Sequence, residues 1–463
     1  MIQINPREVA AEAMVQILAE GAYNNTALRR LLRQNGAMSQ QDRAFVTEIV
    51  NGTLRNIYYV DYVIDQFSNK KLNKIKPWLL AVLRTAVYKI KPWLLAVLRT
   101  AVYQMLFMDV PDNAACNEAV KLATARGYKS LSGFVNGVLR AIGRGKTEIK
   151  LPEKGTAEYL SVVYSHPLWL VKMWVAYYGY EKTEALCQAD NEAPDVTIRV
   201  NTLKTDAETL VKQLEEKGIT VRQGSLWKDA LHLSRTADLG RLAEFQEGLF
   251  HVQDESSQTA VAVLDPQKGE KILDLCAAPG GKTFTMAERM ENSGEIHAGD
   301  IYEHKAELIA DGAHRLGISI VKTSVRDASV EDTSAIGAYD RVLADVPCSG
   351  LGLLRKKPDI RLKKDGSEID VLVGIQRQIL EQAAKYVKDG GVLVYSTCTL
   401  SRKENEKNVE WFLQNHESYI LEDLGQYLPE TLAAEGEKGY ITLFPQSHHT
   451  DGFFIARLRK KGM

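Results

Sequence analysis

Apolar residues recur at three- and four-residue spacing from Pro6 to about Arg144, in Val9, Ala10, Met14, Ile17 and Leu18 and again in Phe45, Ile49, Val50 and Leu54. That is the period of amphipathic helices. Polar pairs such as Asn24-Asn25 and Asp112-Asn113 interrupt it, so an all-α bundle is expected over residues 1–150. After a polar linker near 143–156, the string YLSVVYSHPLWLVKMWVAYYG continues as an aromatic-rich helical segment, with a start signal at Ser165-His166-Pro167. The period then changes. VTIRVNTLKT alternates like a strand and is followed by the helix AETLVKQLEEKG and a strand at ITVRQG, which predicts a small α+β subdomain over 157–249. From His251 onward strands and helices alternate, with strands expected at 271–276, 295–301, 319–325, 340–346 and 391–397 and a last β stretch, GFFIARLR. This alternation predicts a parallel, doubly wound α/β sheet over 250–463, with ligands at the carboxyl ends of the strands.

The helical region holds an anomaly. KIKPWLLAVLRTAVY occupies 74–88 and recurs letter for letter at 89–103. Solenoid repeats diverge and recur several times, whereas this is one perfect copy. Pro77 and Pro92 each suit the first turn of a helix, and Lys91, before a proline, is biased away from α geometry. A break is therefore expected near 89–91, with strain or disorder around 74–103, because one copy alone can fill a single slot in the bundle.

The chain is 463 residues long, too long for one core, and its 45% hydrophobic and 25% charged content is that of a folded globular protein. The sequence has no apolar run long enough to span a bilayer and no export signal at MIQINPREVAAEA, so a cytoplasmic location is expected. Five cysteines, an odd number without CxxC spacing, argue against a disulfide framework or a zinc site and leave the thiols as reagents. The net charge of -1 hides an asymmetry: residues 1–150 carry 21 Lys and Arg against 11 Asp and Glu, the remainder 37 against 48. An excess of positive charge over one domain attracts a polyanion and makes RNA or DNA the leading partner. A solvated helical surface is the alternative reading of the same charge.

The candidate chemistry lies at the strand ends. Lys271 to Thr283, KILDLCAAPGGKT, is a short apolar strand that empties into a glycine turn and a helix start. Such a turn lets a nucleotide-like cofactor approach the backbone closely, although it matches neither GxGxxG nor GxxxxGK[ST]. Asp300, Asp327 and Asp345 end the next three strands. A single Asp there is commonly a cap, but three at successive ends suggest ligands, Asp300 being suited to ribose hydroxyls. DVPCSG (Asp345–Gly350) and STCTL (Ser396–Leu400) each put a cysteine in a polar turn facing the same crevice, where a thiolate could be exposed. Cys116, Cys187 and Cys276 read as small buried hydrophobes. His166 could be catalytic, and Arg199 and Asn201 could touch nucleic acid, but a lone histidine beside a proline is more often structural and pairing within the subdomain is the commoner role for the other two. The basic run Arg355-Lys356-Lys357, with Lys363 and Lys364, could contact phosphates or form a solvated loop.

Two family resemblances sharpen this. LRTAVYQMLFMDVPDNAACNEAVKLA and SGFVNGVLR resemble the RNA-binding domain of the antitermination factor NusB. DLCAAPGGKT, ADVPCSGLGLLRKKPDI and VYSTCTLSRKENE resemble the S-adenosylmethionine-dependent RNA cytosine methyltransferases of the RsmB/Sun/NOL-NSUN group. With QDESSQ and the terminal DGFFIARL, the resemblance covers nearly the whole chain. It implies a NusB-like bundle, a small α+β subdomain and a Rossmann-like catalytic domain, with methylation of carbon 5 of a cytosine in small-subunit ribosomal RNA. A monomer without a stable protein partner is expected.

The resemblance also implies roles. Cys398 would attack the base, Cys348 would assist release, and Asp345 would hydrogen-bond its polar edge. Cys276, Ala277, Ala278, Pro279, Gly280, Gly281 and Lys282 would line the methionine and ribose of S-adenosylmethionine, Asp300 the ribose, Asp327 the adenine region and Asp345 the floor. This sequence departs from the group in reading DVPC where DAPC is usual, and in placing Tyr302 where a second acid is common. Two rival readings stand beside this: a NusB-like RNA-binding protein with an inactive methyltransferase domain, and attack by the Pro-Cys cysteine, Cys348, as in DNA cytosine methyltransferases.

Overall fold

The computed structural model describes residues 4–68, 91–234 and 239–462. They form two compact units: Met1–Glu192 with Lys356–Gly366, and Ala193–Arg355 with Ser367–Met463.

The first unit is helical. Pro6–Leu18, Asn24–Gln34, Gln40–Arg55, Ile57–Phe67, Pro92–Phe107, Asp112–Ala125 and Ser132–Gly145 pack around a core in which Met14, Val46, Ile49, Val50, Leu54, Leu98, Val102, Leu139 and Ile142 are buried. Local sequence sets the helix starts. Asn5 caps the first helix by accepting from the Arg7 amide, and Ser39 caps the third through the Asp42 amide. Gly52 permits a close crossing, because a Cβ there would run into the Tyr103 ring, whose hydroxyl donates to Glu48 at 2.6 Å. The second copy of the duplicated string supplies the helix Pro92–Phe107, with Pro92 in its first turn and Lys91 non-helical ahead of it. The first copy, 74–88, and residues 89–90 of the expected break lie outside the described residues.

Helices Ala157–Val163, Leu168–Tyr178 and Tyr180–Ala189 group with the bundle, so the expected α+β span 157–249 is divided between the units. The segment Lys356–Gly366 also belongs here. Arg361 on it is fully buried and donates to Arg55 O (2.7 Å), Ser165 O (3.0 Å), Asn191 Oδ1 (2.7 Å) and Asp190 O (2.9 Å), while Tyr58 donates to the Arg361 carbonyl at 2.9 Å. A guanidinium with both terminal nitrogens bonded this way can stay charged inside the protein.

The second unit holds two sheets. β1 (Val196–Val200), β2 (Thr220–Gln223), β3 (Ala230–Ser234) and β4 (Phe250–Val252) pair antiparallel in the order β2-β3-β1-β4. The helix Ala207–Glu216 covers this sheet with Leu210 and Leu214 against Ile198, Val200, Leu231 and Phe250. β5 (Lys271–Asp274), β6 (Glu295–Asp300), β7 (Val321–Val325), β8 (Tyr339–Asp345), β9 (Val387–Thr397), β10 (Tyr419–Leu421), β11 (Tyr440–Leu443) and β12 (Phe453–Lys460) form the large sheet, in the order β10-β12-β9-β8-β5-β6-β7 with β11 on β12. β5 to β9 pair in parallel, as the βα alternation predicts, but β12 runs antiparallel to β9, β10 and β11, so the sheet is mixed. β5 lies between β6 and β8. The chain winds outward in opposite directions from that strand, which opens a crevice at the carboxyl ends of β5 and β8.

Candidate active site

β5 delivers Asp274 to the crevice and the chain then turns through Leu275 to Gly280 into the helix Gly281–Arg289. The turn is fixed by main-chain bonds: Leu275 N–H to Leu343 O (3.0 Å), Ala277 N–H to Gly299 O (2.8 Å) and Gly280 N–H to Ala277 O (2.7 Å). Gly280 has φ +104°, and a Cβ there would meet the Phe284 ring, so glycine is required on two grounds. The second and third residues of this helix carry the next contacts. Lys282 Nζ donates to Asp345 Oδ2 at 2.7 Å, and Thr283 Oγ1 donates to Asp274 Oδ2 at 2.7 Å.

β8 and β9 supply the rest. Asp345 at the tip of β8 accepts from Ser396 Oγ of β9 at 2.7 Å through its other oxygen. Three residues beyond Asp345, Cys348 Sγ lies 3.2 Å from the Sγ of Cys398, one residue past the end of β9. Both cysteines are half-buried, whereas Cys116 and Cys187 are buried in helices of the first unit. The structure thus brings Lys282, Asp345, Cys348 and Cys398 to one end of three neighbouring strands.

The electrostatics follow from burying several acids together. Desolvation, reinforced by the charges of Asp345 and Asp300, pushes the Asp274 carboxyl up to about 7 against the opposing hydrogen bond from Thr283 and the charge of Lys282. Its Oδ1 is buried with no hydrogen-bond partner among the described residues. Burial disfavours the charge on Lys282, but Asp345 beside it, together with Cys398 and Asp274, outweighs that and raises its pKa. The Cys348 thiol is raised well above its ordinary value by its hydrogen bond with Cys398, by burial, and by the charges of Cys398 and Glu404. Burial first, then Asp274, Asp345 and Asp300, raises the Cys276 thiol as well. Cys276 therefore stays protonated.

The other expected residues fall out unevenly. Asp300 Oδ1 accepts from the Tyr302 amide at 3.3 Å and lies 3.4 Å from Lys305 Nζ. Asp327 is exposed, and its Oδ1 caps its own turn by accepting from the Ser329 amide (2.9 Å) and hydroxyl (2.6 Å). His166 is buried in the first unit against Tyr164 O and Asp190, with its pKa driven well below normal by burial and by Arg361. Arg199 and Asn201 are buried and serve internal bonds, Arg199 to Glu288 at 2.6 Å and Asn201 to Gly248 O and Leu316 O. The basic run is split: Arg355 donates to Thr450 O, and Lys363 donates to Ala22 O in the first unit while Lys357 is exposed. Sequence reasoning passed over Ser349, Gln376, Ser396, Thr399 and Glu404, which hold the two cysteine turns. For Ser349, Ser396, Thr399 and Glu404 the only signal was their place inside the strings around the cysteines, and Gln376, on the helix Ile369–Tyr386, lies outside both strings and gave none.

A mixed sheet with a glycine turn after its first strand and acids at its strand ends defines a Rossmann-like methyltransferase. Comparison with known proteins makes this specific. The family model described as 16S rRNA methyltransferase RsmB/F matches residues 261–459, an RsmF/B-like ferredoxin-like domain matches 166–240, and the NusB family matches 4–91 and 89–144, two stretches that meet at the duplication. A Bacillus subtilis protein named "Probable ribosomal RNA small subunit methyltransferase B" is 38% identical, with all of both chains covered. The Serratia proteamaculans ribosomal RNA small subunit methyltransferase B is 32% identical, over 98% of this chain and 99% of its own. Among solved structures, that of PH0851 aligns with a TM-score of 0.81 at 30% identity, over 99% of this chain and 100% of that one. The chain belongs to the RsmB/F family of ribosomal RNA methyltransferases.

Proposed function

We propose that this protein methylates carbon 5 of a cytosine in small-subunit ribosomal RNA through a covalent bond between Cys398 and the base. The observation that carries the proposal is the pair of sulfurs 3.2 Å apart beside the Lys282–Asp345 ion pair. The cofactor is S-adenosylmethionine, which when bound supplies an electrophilic methyl group. The residues present fit it. Gly280 keeps the turn tight, since a Cβ there would run into the Phe284 ring, and the acids Asp274, Asp345 and Asp300 that act together on Cys276 suit a sulfonium. Cys276 to Lys282 would hold its methionine and ribose side, Asp300 the ribose, Asp327 the adenine region and Asp345 the floor.

Carbon 5 of cytosine is a poor nucleophile. Attack of the Cys398 sulfur on carbon 6 breaks the carbon 5–carbon 6 π bond and makes carbon 5 electron-rich enough to take a methyl group. Asp345, held by Ser396 and Lys282, faces the polar edge of the base as charge accumulates on the ring. The carbon 5 proton then leaves to a base, and the electrons of that C–H bond re-form the double bond and expel Cys398. Cys348 assists this release. Contact with Cys398 and burial raise the Cys348 thiol, which suits it to holding a proton beside the attacking sulfur. Addition to carbon 6 needs access to the face of the ring, so the target base is flipped or single-stranded.

The experiment is transfer of labelled methyl from S-adenosylmethionine to small-subunit ribosomal RNA, followed by mapping of the modified position. Label on carbon 5 of one cytosine is expected. Label on another atom or base overturns the proposal, and no transfer by folded protein favours an RNA-binding role.

A further inference from the structure

The turn that carries Cys348 is held by a carboxylate with no part in the chemistry above. Glu404 is fully buried, and no ion pair to it occurs among the described residues. Its Oε1 accepts from the Ser349 amide at 2.8 Å and from Gln376 Nε2 at 3.1 Å, and its Oε2 accepts from Ser349 Oγ at 2.6 Å. Ser349 has a single hydroxyl proton, which is committed to Glu404. The 2.7 Å contact between Ser349 Oγ and Thr399 Oγ1 must therefore be donated by Thr399.

These bonds reach both sulfurs. Ser349 follows Cys348, and Thr399 follows Cys398. Gln376 Nε2 also donates to Pro347 O at 3.0 Å, on the other side of Cys348, and Asn408 Nδ2 fixes that amide by donating to Gln376 Oε1 at 2.8 Å. Glu404 itself is anchored by its carbonyl, which accepts from Tyr395 OH. Burying a carboxylate without a cation is costly unless its oxygens are hydrogen-bonded. A neutral acceptor would satisfy Ser349 at lower cost.

We infer that Glu404 is a positioning residue for the release step, setting through Ser349 and Thr399 the separation and mutual orientation of Cys348 and Cys398. Its negative charge near Cys348 also favours retention of the proton there. The inference rests on the proposed assignment of attack to Cys398 and release to Cys348.

The test uses the full-length protein, S-adenosylmethionine and a small-subunit ribosomal RNA transcript of ordinary cytosine. Formation of the covalent enzyme–RNA species and its decay after the first methyl transfer are followed separately on denaturing gels. In Glu404→Gln, formation should proceed as in the parent, and decay should slow about 10²-fold, the loss expected of a misplacement on the order of 1 Å. Adduct then accumulates. Ser349→Ala and Thr399→Val should shift the same ratio in the same direction and carry the test if Glu404→Gln does not fold. Equal slowing of formation and decay, or unchanged decay in every folded variant, overturns the inference. Failure of the underlying assignment looks different: Cys398→Ser would still form adduct, whatever the Glu404 variants do.

Discussion

The helical unit and the catalytic unit both bury charged side chains, and they do so to opposite ends. Arg361 in the first unit is pushed by burial down to about 10, which leaves it charged near neutrality and bonded to three main-chain carbonyls and an amide oxygen. Asp274 in the second unit is pushed by burial up to about 7, into the range where its proton is exchangeable, and one of its oxygens has no partner among the described residues. A shift that leaves the charge state alone marks a structural clamp. One that carries a group to the working pH, among other acids and two touching thiols, marks a chemical site.

That contrast can be broken at several points. The largest effect is expected from Lys282→Met, which strips Asp345 of its ion-pair partner. Methyl transfer should fall about 10²–10³-fold in kcat/KM, the cost of removing a preorganised charge partner from a site, with little change in the melting temperature of the first unit. Arg361→Ala should do the reverse. It leaves buried carbonyls unsatisfied and should cost about 3–5 kcal/mol in urea unfolding. Gly52→Ala, which drives a methyl into the Tyr103 ring, should cost about 1–3 kcal/mol by the same measurement.

The smallest effect sharpens the comparison through pH. A carboxyl with a raised folded-state pKa contributes most to stability below its unfolded value, and that contribution is lost as pH rises through the folded value. For Asp274 the window runs from 3.8 to about 7. Stability of the parent should fall with pH across it, with a slope approaching ~1.4 kcal/mol per pH unit from this group. Asp274→Asn, which keeps an acceptor for Thr283, should show a shallower fall. An equal slope in parent and variant would mean that Asp274 does not titrate there.

The sequence made some of this legible and hid the rest for identifiable reasons. The bundle and the parallel strands β5 to β9 have long, regular apolar periods, and the glycine turn and the two cysteine turns are local strings. β3, β4, β10 and β11 are three to five residues long and are defined by distant partners, so periodicity did not reveal them. The docking of 356–366 in the first unit depends on Arg361 meeting carbonyls contributed from Arg55 to Asn191, which no local pattern encodes. Arg199 and Lys363 are both basic residues that could meet nucleic acid on sequence alone, and both are committed internally. Glu404 lies inside the quoted string VYSTCTLSRKENE, but its role appears only when the two cysteine turns converge on it.

The central claim is that the sulfur of residue 398, and not that of 348, bonds to the base. Trapping with RNA carrying fluorinated cytosine, from which the carbon 5 substituent cannot leave, tests it most directly. A covalent enzyme–RNA species is expected from the parent, none from Cys398→Ser, and, on ordinary cytosine RNA, accumulation of that species in Cys348→Ser. Loss of the species in Cys348→Ser with retention in Cys398→Ser would contradict it.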